Sequence, residues 1–311
     1  MINSLRVLSK RVLPHVPFAG QWFTRGFRER EAKFLRKQRI AELQAHRATA
    51  RLWRQRIADA LACPDNARIP RCKDAGTRVD GEVVMHNGLR IAYGTYGTYD
   101  ADHTMRLLEL NGGVHEPQEE VVFQQVLPSL PRGAIMVELG AFWGFYSLWF
   151  SNSVPEAKCF LVEPVWANLN AGRLNFALNG SHATFIHGFA GAKYRKQPFQ
   201  APVLSVDWLM QERGLERIHM LHSDIQGFER HMLDGAAKAV EQDRIDWIFI
   251  STHSNQLHRE CRAWLEERRW DIVADADLDD SYSVDGLIAA HRPGLTSPPI
   301  APISLRRKAE P

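Results

Sequence analysis

Gly140 and Gly144 lie between two acids, Glu138 and Glu163, in the stretch MVELGAFWGFYSLWFSNSVPEAKCFLVEP that runs from Met136 to Pro164. A glycine turn lets a ligand approach bare backbone amides at a helix N-terminus. An acid about 20 residues further on suits a pair of ribose hydroxyls. The chemistry these residues could do is to hold a nucleotide-like ligand. A dinucleotide needs G-x-G-x-x-G, so that its pyrophosphate rests on the turn. Gly140-Ala141-Phe142-Trp143-Gly144 lacks the third glycine, and Glu138 places a negative charge just before the turn. That charge repels a pyrophosphate. It suits a ligand with an ammonium and a sulfonium group, S-adenosylmethionine (SAM). On the turn alone a dinucleotide, or a structural strand–turn–helix with no ligand, stays open.

The turn needs a strand before it and a helix after it. Met136–Leu139 is a short apolar run, and Phe145–Phe150 has the bulk of a buried helix. Lys158–Val162 reads as a second strand ending at Glu163. Val165–Leu178 is helical and stops at Asn179-Gly180, a C-cap signal. Ala183–Ile186 is a third strand, and Val206–Arg213 a short helix. Ile218–Ser223 is a fourth strand ending at Asp224, with helix from Gly227. Asp246–Ser251 is a fifth, running into Thr252-His253 and the helix Leu257–Arg268. Trp270–Ala274 and Gly286–His291 complete seven strands.

Strands alternating with helices imply an α/β fold with a doubly wound, mostly parallel, Rossmann-like sheet. The last two strands have no long helix between them and are expected as an antiparallel pair at the edge. Ligands of such sheets bind beyond the C-terminal ends of the strands. Glu138, Glu163, Asp224 and His253 all occupy those ends, and so converge on one crevice.

The N-terminal part differs from this body. Residues 1–62 carry 14 Lys/Arg against 4 Asp/Glu, a charge of +10 in a chain of net +3, so the rest is −7. Residues 27–62 read as helix with a thin apolar face of Phe27, Phe34, Ala41, Ala45, Ala48 and Leu52. The arm suits a membrane surface or another anionic partner. The plainer reading, which we favour, is a solvated helix packed on the body or on a second copy of the chain. No nucleic-acid motif is visible, and no nucleic acid is expected as partner. Residues 63–80 read as a linker. Val83–Met85 and Leu89–Tyr93 flank His86-Asn87-Gly88 as a β-hairpin. Met105–Leu110 reads as a further strand. Glu116, Glu119 and Glu120 open an apolar-periodic helix, Val121–Leu130, where acids favour the helix dipole. His115 and Glu116 precede the first core strand and are placed to overhang the ligand. Pro293, Pro298, Pro299 and Pro302 extend the tail. The segments are therefore 1–62, 63–112, 113–292 and 293–311.

Composition excludes some classes. With 45% hydrophobic and 24% charged residues the chain reads as a soluble globular protein. No apolar run approaches the ~18–20 residues of a membrane span. Pro14, His15 and Pro17 interrupt the one candidate for a signal sequence. Cys63, Cys72, Cys159 and Cys261 lack C-x-x-C spacing, so neither a zinc site nor a disulfide framework is expected. A cytoplasmic location follows as the expectation. Asp224 and His253 with nearby acids are too few ligands to predict Mg²⁺.

The order of short motifs resembles the FkbM family of class I SAM-dependent methyltransferases. That family reads, in outline, E-P; D-x-G-A-N-x-G-Y-Y-S/T; E-P; N-G; L-D-x-L; K-x-D-x-E/Q-G-x-E; and E-x-H. The corresponding stretches are Glu116-Pro117; Glu138 to Ser147; Glu163-Pro164; Asn179-Gly180; Val206-Asp207-Trp208-Leu209; His222 to Glu229; and Ser251-Thr252-His253. The chain departs from the pattern with Glu138 for Asp, Phe142 for Asn, His222 for Lys and Ser251 for Glu. The resemblance implies methyl transfer from SAM to a hydroxyl of a sugar, a glycan or a secondary metabolite. By motif position, Glu138 faces the methionine ammonium and Gly140, Ala141 and Gly144 shape the turn. Glu163, with Pro164, holds the ribose, and Phe189 and Ala190 flank the adenine. Glu116 and Tyr146 complete the cofactor site. Asp224 is the first choice for the base that takes the acceptor proton, and His253 the second, since a free imidazole titrates near neutrality. Two rival readings are a SAM-binding interaction module without transferase activity and a nicotinamide-dependent oxidoreductase.

Overall fold

The computed structural model describes residues 51–92 and 101–306. The chain divides into two compact units, residues 1–55 and 56–311. The first is described only over 51–55, which are helical, so most of the expected arm lies outside the described residues.

In the second unit, β1 (Arg78–Val79), β2 (Glu82–Val84) and β3 (Arg90–Ala92) form a small antiparallel sheet. The Asn87-Gly88 turn joins β2 to β3 as its sequence demands, with Gly88 left-handed at φ 88°. Part of the expected linker is thus strand. The next segment corrects the sequence reading. α1 (Ala101–Leu110) is a helix, where Met105–Leu110 is expected as a strand. Thr104, Leu107, Leu108 and Asn111 are buried while Arg106 and Glu109 are exposed, a spacing of three and four rather than two.

α2 (Pro117–Val126) leads into the main sheet. Its strands are β4 (Ile135–Leu139), β5 (Lys158–Glu163), β6 (Thr184–His187), β9 (Ile218–Ser223), β10 (Ile245–Thr252), β11 (Asp271–Ala276) and β12 (Gly286–His291). Two short strands, β7 (Phe189–Ala190) and β8 (Val203–Leu204), pair apart from it. The main order is β11-β12-β10-β9-β4-β5-β6. β12 runs antiparallel to both neighbours, and the other neighbouring pairs are parallel. This is the doubly wound seven-stranded sheet the alternation implies, with the last two strands together at one edge.

Side chains sort by the two-residue period of the strands. Met136, Met220, Trp247, Phe249, Leu287 and Ala289 face one core with Phe123, Phe145 and Trp149. Val137, Leu139, Leu221, Ile248, Ile250 and Ile288 face the other with Leu209 and Trp264. All eight residues of β10 are buried, as expected of a central strand covered on both faces.

The connecting helices are α3 (Phe145–Ser153), α4 (Trp166–Leu178), α5 (Val206–Glu212), α6 (Glu229–Asp234), α7 (Ala237–Glu241) and α8 (Asn255–Glu267). Asp207 of α5 accepts the Lys238 and Ala239 amides and so caps α7. The tail has no regular structure but is docked. Ile300 and Ile303 pack on the core, and the Ser304 amide donates to the buried Asp65 carboxylate at 2.8 Å. Among the described residues no helix is long and apolar enough to cross a membrane.

Candidate active site

β4 ends in a turn with three left-handed residues, Gly140 (φ 72°), Phe142 (φ 46°) and Gly144 (φ 74°). Gly140 passes so close to the end of β9 that a Cβ there would overlap the Asp224 carbonyl oxygen. We expect Gly140→Ala to cost about 2–4 kcal/mol, from left-handed strain plus overpacking. A urea unfolding curve that leaves stability unchanged would contradict this.

Carboxylates hold the turn. Glu163 Oε2 accepts the Phe142 amide at 3.0 Å, while Oε1 accepts the Val165 amide and the Asn168 side chain at 2.8 and 3.2 Å. Burial pushes the Glu163 carboxyl upward against those hydrogen bonds. Glu138 lies beneath, buried, and accepts the Ser147 amide in the first turn of α3 at 3.1 Å. Burial raises its pKa to about 7, with the His222 charge opposing. This donor set fits SAM. Glu138, Glu163 and Asp224 stand at the C-terminal ends of the neighbouring strands β4, β5 and β9, and three carboxyls there favour a cationic sulfonium and ammonium over a pyrophosphate. Glu163 Oε2 accepts one hydrogen bond from the chain and keeps a lone pair for a ribose hydroxyl.

Around the corner, Asp224 and His253 meet as expected, in unexpected company. His253 Nδ1 contacts Glu229 Oε1 at 2.7 Å. Its Nε2 lies 3.2 Å from Asp224 Oδ1 and 3.3 Å from Asp285 Oδ1. Burial works against the charged ring, but Asp224, Glu229 and Asp285 outweigh it and raise the pKa to about 10. His253 is therefore an imidazolium at neutral pH. The expectation that it titrates near neutrality is not met, and it can donate but not accept a proton there. Asp285 is pushed to about 7 by burial, with His253 opposing and the Asp224 and Glu116 charges adding. Asp224 does not cap a helix. Gln226 donates to its Oδ1 at 3.4 Å, and α6 starts only at Glu229.

A second network lies under the first. His222 Nε2 contacts Glu119 Oε1 at 2.7 Å, and the Ser251 hydroxyl donates to Glu119 Oε2 at 3.2 Å. All three residues are buried. Burial raises Glu119, and Glu119 with Glu138 raises His222 to about 9 despite burial. Both shifts describe one proton held between the two groups well above neutral pH. Two of the departures from the family pattern, His222 and Ser251, thus meet at the same carboxylate. Alongside, Tyr146 donates to Glu116 Oε2 at 3.3 Å and Ser283 to Glu116 Oε1 at 3.2 Å. Burial would raise Glu116, but His115, Arg56 and His222 hold it below the usual carboxylate range. Of the three acids at the start of α2, Glu120 caps it, accepting the His115 and Glu116 amides at 2.6 and 2.8 Å. Glu119 reaches the ends of β9 and β10 instead, and Glu116 reaches Tyr146 of α3 and Ser283 of the loop before β12.

Phe189 and Ala190 sit apart from these networks, on β7, with Phe189 exposed at the surface. Between them and Glu163, the Pro164 carbonyl contacts His187 Nε2 at 2.8 Å, and exposed Trp166 stacks on His187 at 4.1 Å. Ala141 and Tyr146 are buried in the core beside the turn. Sequence reasoning missed Asp285, which stands on the loop before β12 and in none of the motifs. Glu229 was in a motif, but nothing in the spacing says that it touches His253.

Residues 161–271 match the methyltransferase FkbM domain. No curated protein matches the chain. Among solved structures, a precorrin-6y C5,15-methyltransferase from Geobacter metallireducens GS-15 is 14% identical, covering 56% of this chain and 86% of its own, with a TM-score of 0.40. M. capricolum TrmK in complex with S-adenosyl-homocysteine is 11% identical, covering 55% and 67%, with a TM-score of 0.39. A SAM-dependent methyltransferase from Aquifex aeolicus is 12% identical, covering 56% and 89%, with a TM-score of 0.35. These likenesses are too distant to bear on activity.

Proposed function

We infer that this chain, whose residues 161–271 match the methyltransferase FkbM domain, is a SAM-dependent O-methyltransferase acting on a hydroxyl of a sugar, a glycan or a secondary metabolite. The observation that carries the oxygen specificity is Asp224, a partly exposed carboxylate at the end of β9 beside the His253 imidazole, whose pKa its acidic neighbours raise to about 10. A hydroxyl must lose its proton as it becomes an ether, and a carboxylate next to an imidazolium can take that proton.

When bound, SAM supplies an electrophilic methyl on a sulfonium, so the protein need only align the acceptor and take its proton. Glu163 and the turn amides fix the nucleoside end. Glu138, beneath the turn and held by the Ser147 amide, is the carboxyl that would face the ammonium. Asp224 accepts the hydroxyl proton. His253, pinned by Glu229, steadies Asp224 by its positive charge. The basic arm is proposed to meet an anionic surface, such as a membrane carrying a lipid-linked glycan, or a second copy of the chain.

The test is incubation with SAM carrying an isotopically labelled methyl and a panel of glycosides and polyketide alcohols, with products analysed by mass spectrometry. Label in a base-stable methyl ether supports the reading. Label on nitrogen or carbon refutes the oxygen assignment. Tight SAM binding without transfer to any acceptor favours a binding module.

A further inference from the structure

We propose that Asp285 is a positioning residue of the acceptor site, sharing the His253 Nε2–H with Asp224 and taking it over when Asp224 turns to the acceptor hydroxyl. The proposal rests on the transferase reading above.

The geometry sets one donor between two acceptors. Asp224 Oδ1 and Asp285 Oδ1 lie 3.2 and 3.3 Å from the same ring nitrogen, and neither is aligned with the N–H as a hydrogen bond. The ring has no second donor to offer, because Nδ1 is held at 2.7 Å by Glu229 Oε1, which also accepts the Gly227 amide at 2.9 Å. One of the two carboxylates is therefore always without the N–H. The side chains differ in access: that of Asp224 is 36% exposed and that of Asp285 15%. The open carboxylate is the one an incoming hydroxyl can reach. The covered one is left beside the imidazolium.

Asp285 is held there by a built loop. Gln118 Oε1, on α2, accepts the Tyr282 amide at 2.7 Å and the Ser281 hydroxyl at 3.3 Å. The Ser283 hydroxyl is tied to Glu116, and the Leu278 amide donates to Asn255 Oδ1 of α8 at 2.9 Å. Two helices thus fix the loop on which Asp285 stands. The other charges that act on Asp285 are Glu116 and Arg56, themselves paired at 3.6 Å.

In the step, the acceptor O–H bond breaks and its proton goes to Asp224. The O–CH₃ bond forms as the S–CH₃ bond breaks, with that electron pair going to sulfur. His253 keeps both protons and directs Nε2–H to Asp285. The charge on Asp285 stays compensated while Asp224 becomes neutral.

The test follows the His253 ring by ¹H–¹³C NMR across pH in wild type, Asp285→Asn and Asp285→Glu, with SAM titration calorimetry on each. Losing an adjacent carboxylate lowers an imidazole midpoint by about one pH unit or more. Asp285→Asn is expected to shift His253 down by that amount, Asp285→Glu to restore it, and SAM affinity to stay within about twofold. An unchanged midpoint in folded Asp285→Asn overturns the proposal. If wild type does not bind SAM, the transferase reading fails, whereas the His253 midpoints still decide whether Asp285 shares its proton.

Discussion

Glu163→Ala is expected to weaken SAM binding by about 100-fold or more, and Glu163→Gln by about tenfold. Each hydrogen bond from a hydroxyl to a carboxylate contributes about 1.5–3 kcal/mol, and tenfold in affinity is about 1.4 kcal/mol. Glutamine keeps one acceptor oxygen and loses the charge. Alanine loses both and also strips the acceptors from the Phe142 and Val165 amides. Phe142 is a bulky residue at φ 46°, a conformation it holds only because the surroundings require it. Releasing its amide should therefore let the turn relax as well. Calorimetric titration with SAM reads the affinity, and urea unfolding reads an accompanying loss of about 1–3 kcal/mol. Glu163→Ala binding SAM as wild type does would place the ribose elsewhere.

The second large effect is on stability. His222→Leu is expected to cost about 3–5 kcal/mol near pH 7.5, because it leaves the Glu119 carboxylate buried without its partner. The sign with pH follows from the shifts. His222 has a folded pKa of about 9 against an ordinary 6.5, so its contribution is fully present below pH 6.5 and lost as pH rises through 9. A raise of that size corresponds to stability on the order of 3 kcal/mol. His253, raised to about 10, adds a loss in the same direction. Wild type should become less stable between pH 6.5 and 10. In His222→Leu the Glu119 carboxyl must stay protonated to remain buried, so the penalty begins above the ordinary carboxyl pKa. The gap between the two proteins should be smaller at pH 5 than at pH 7.5. Urea midpoints measured across that range check both statements, and a gap that does not change with pH would mean that no shared proton is involved.

The crevice was legible because short apolar runs name the strands and a polar residue stands at or just beyond the C-terminal end of each. That placed Glu138, Glu163, Asp224 and His253 correctly at the strand ends. What those residues touch was not legible. His253 looked like a neutral base until Glu229, Asp224 and Asp285 were seen around it, and Asp285 comes from a loop with no periodicity to mark it. Glu119 read as an acid opening a helix, and its partner His222 lies far along the chain. Met105–Leu110 was misread because a short apolar run fits strand and helix alike, and only burial separates them.

The central claim is that the crevice at the strand ends binds SAM. The most direct measurement is the thermal midpoint of the wild-type protein with SAM and, separately, with NAD⁺, each over a concentration series. A ligand at 100 times its Kd stabilises by about 2.7 kcal/mol. A midpoint that climbs with SAM and ignores NAD⁺ is the predicted result. A rise with NAD⁺, or no response to SAM from folded protein, would contradict it.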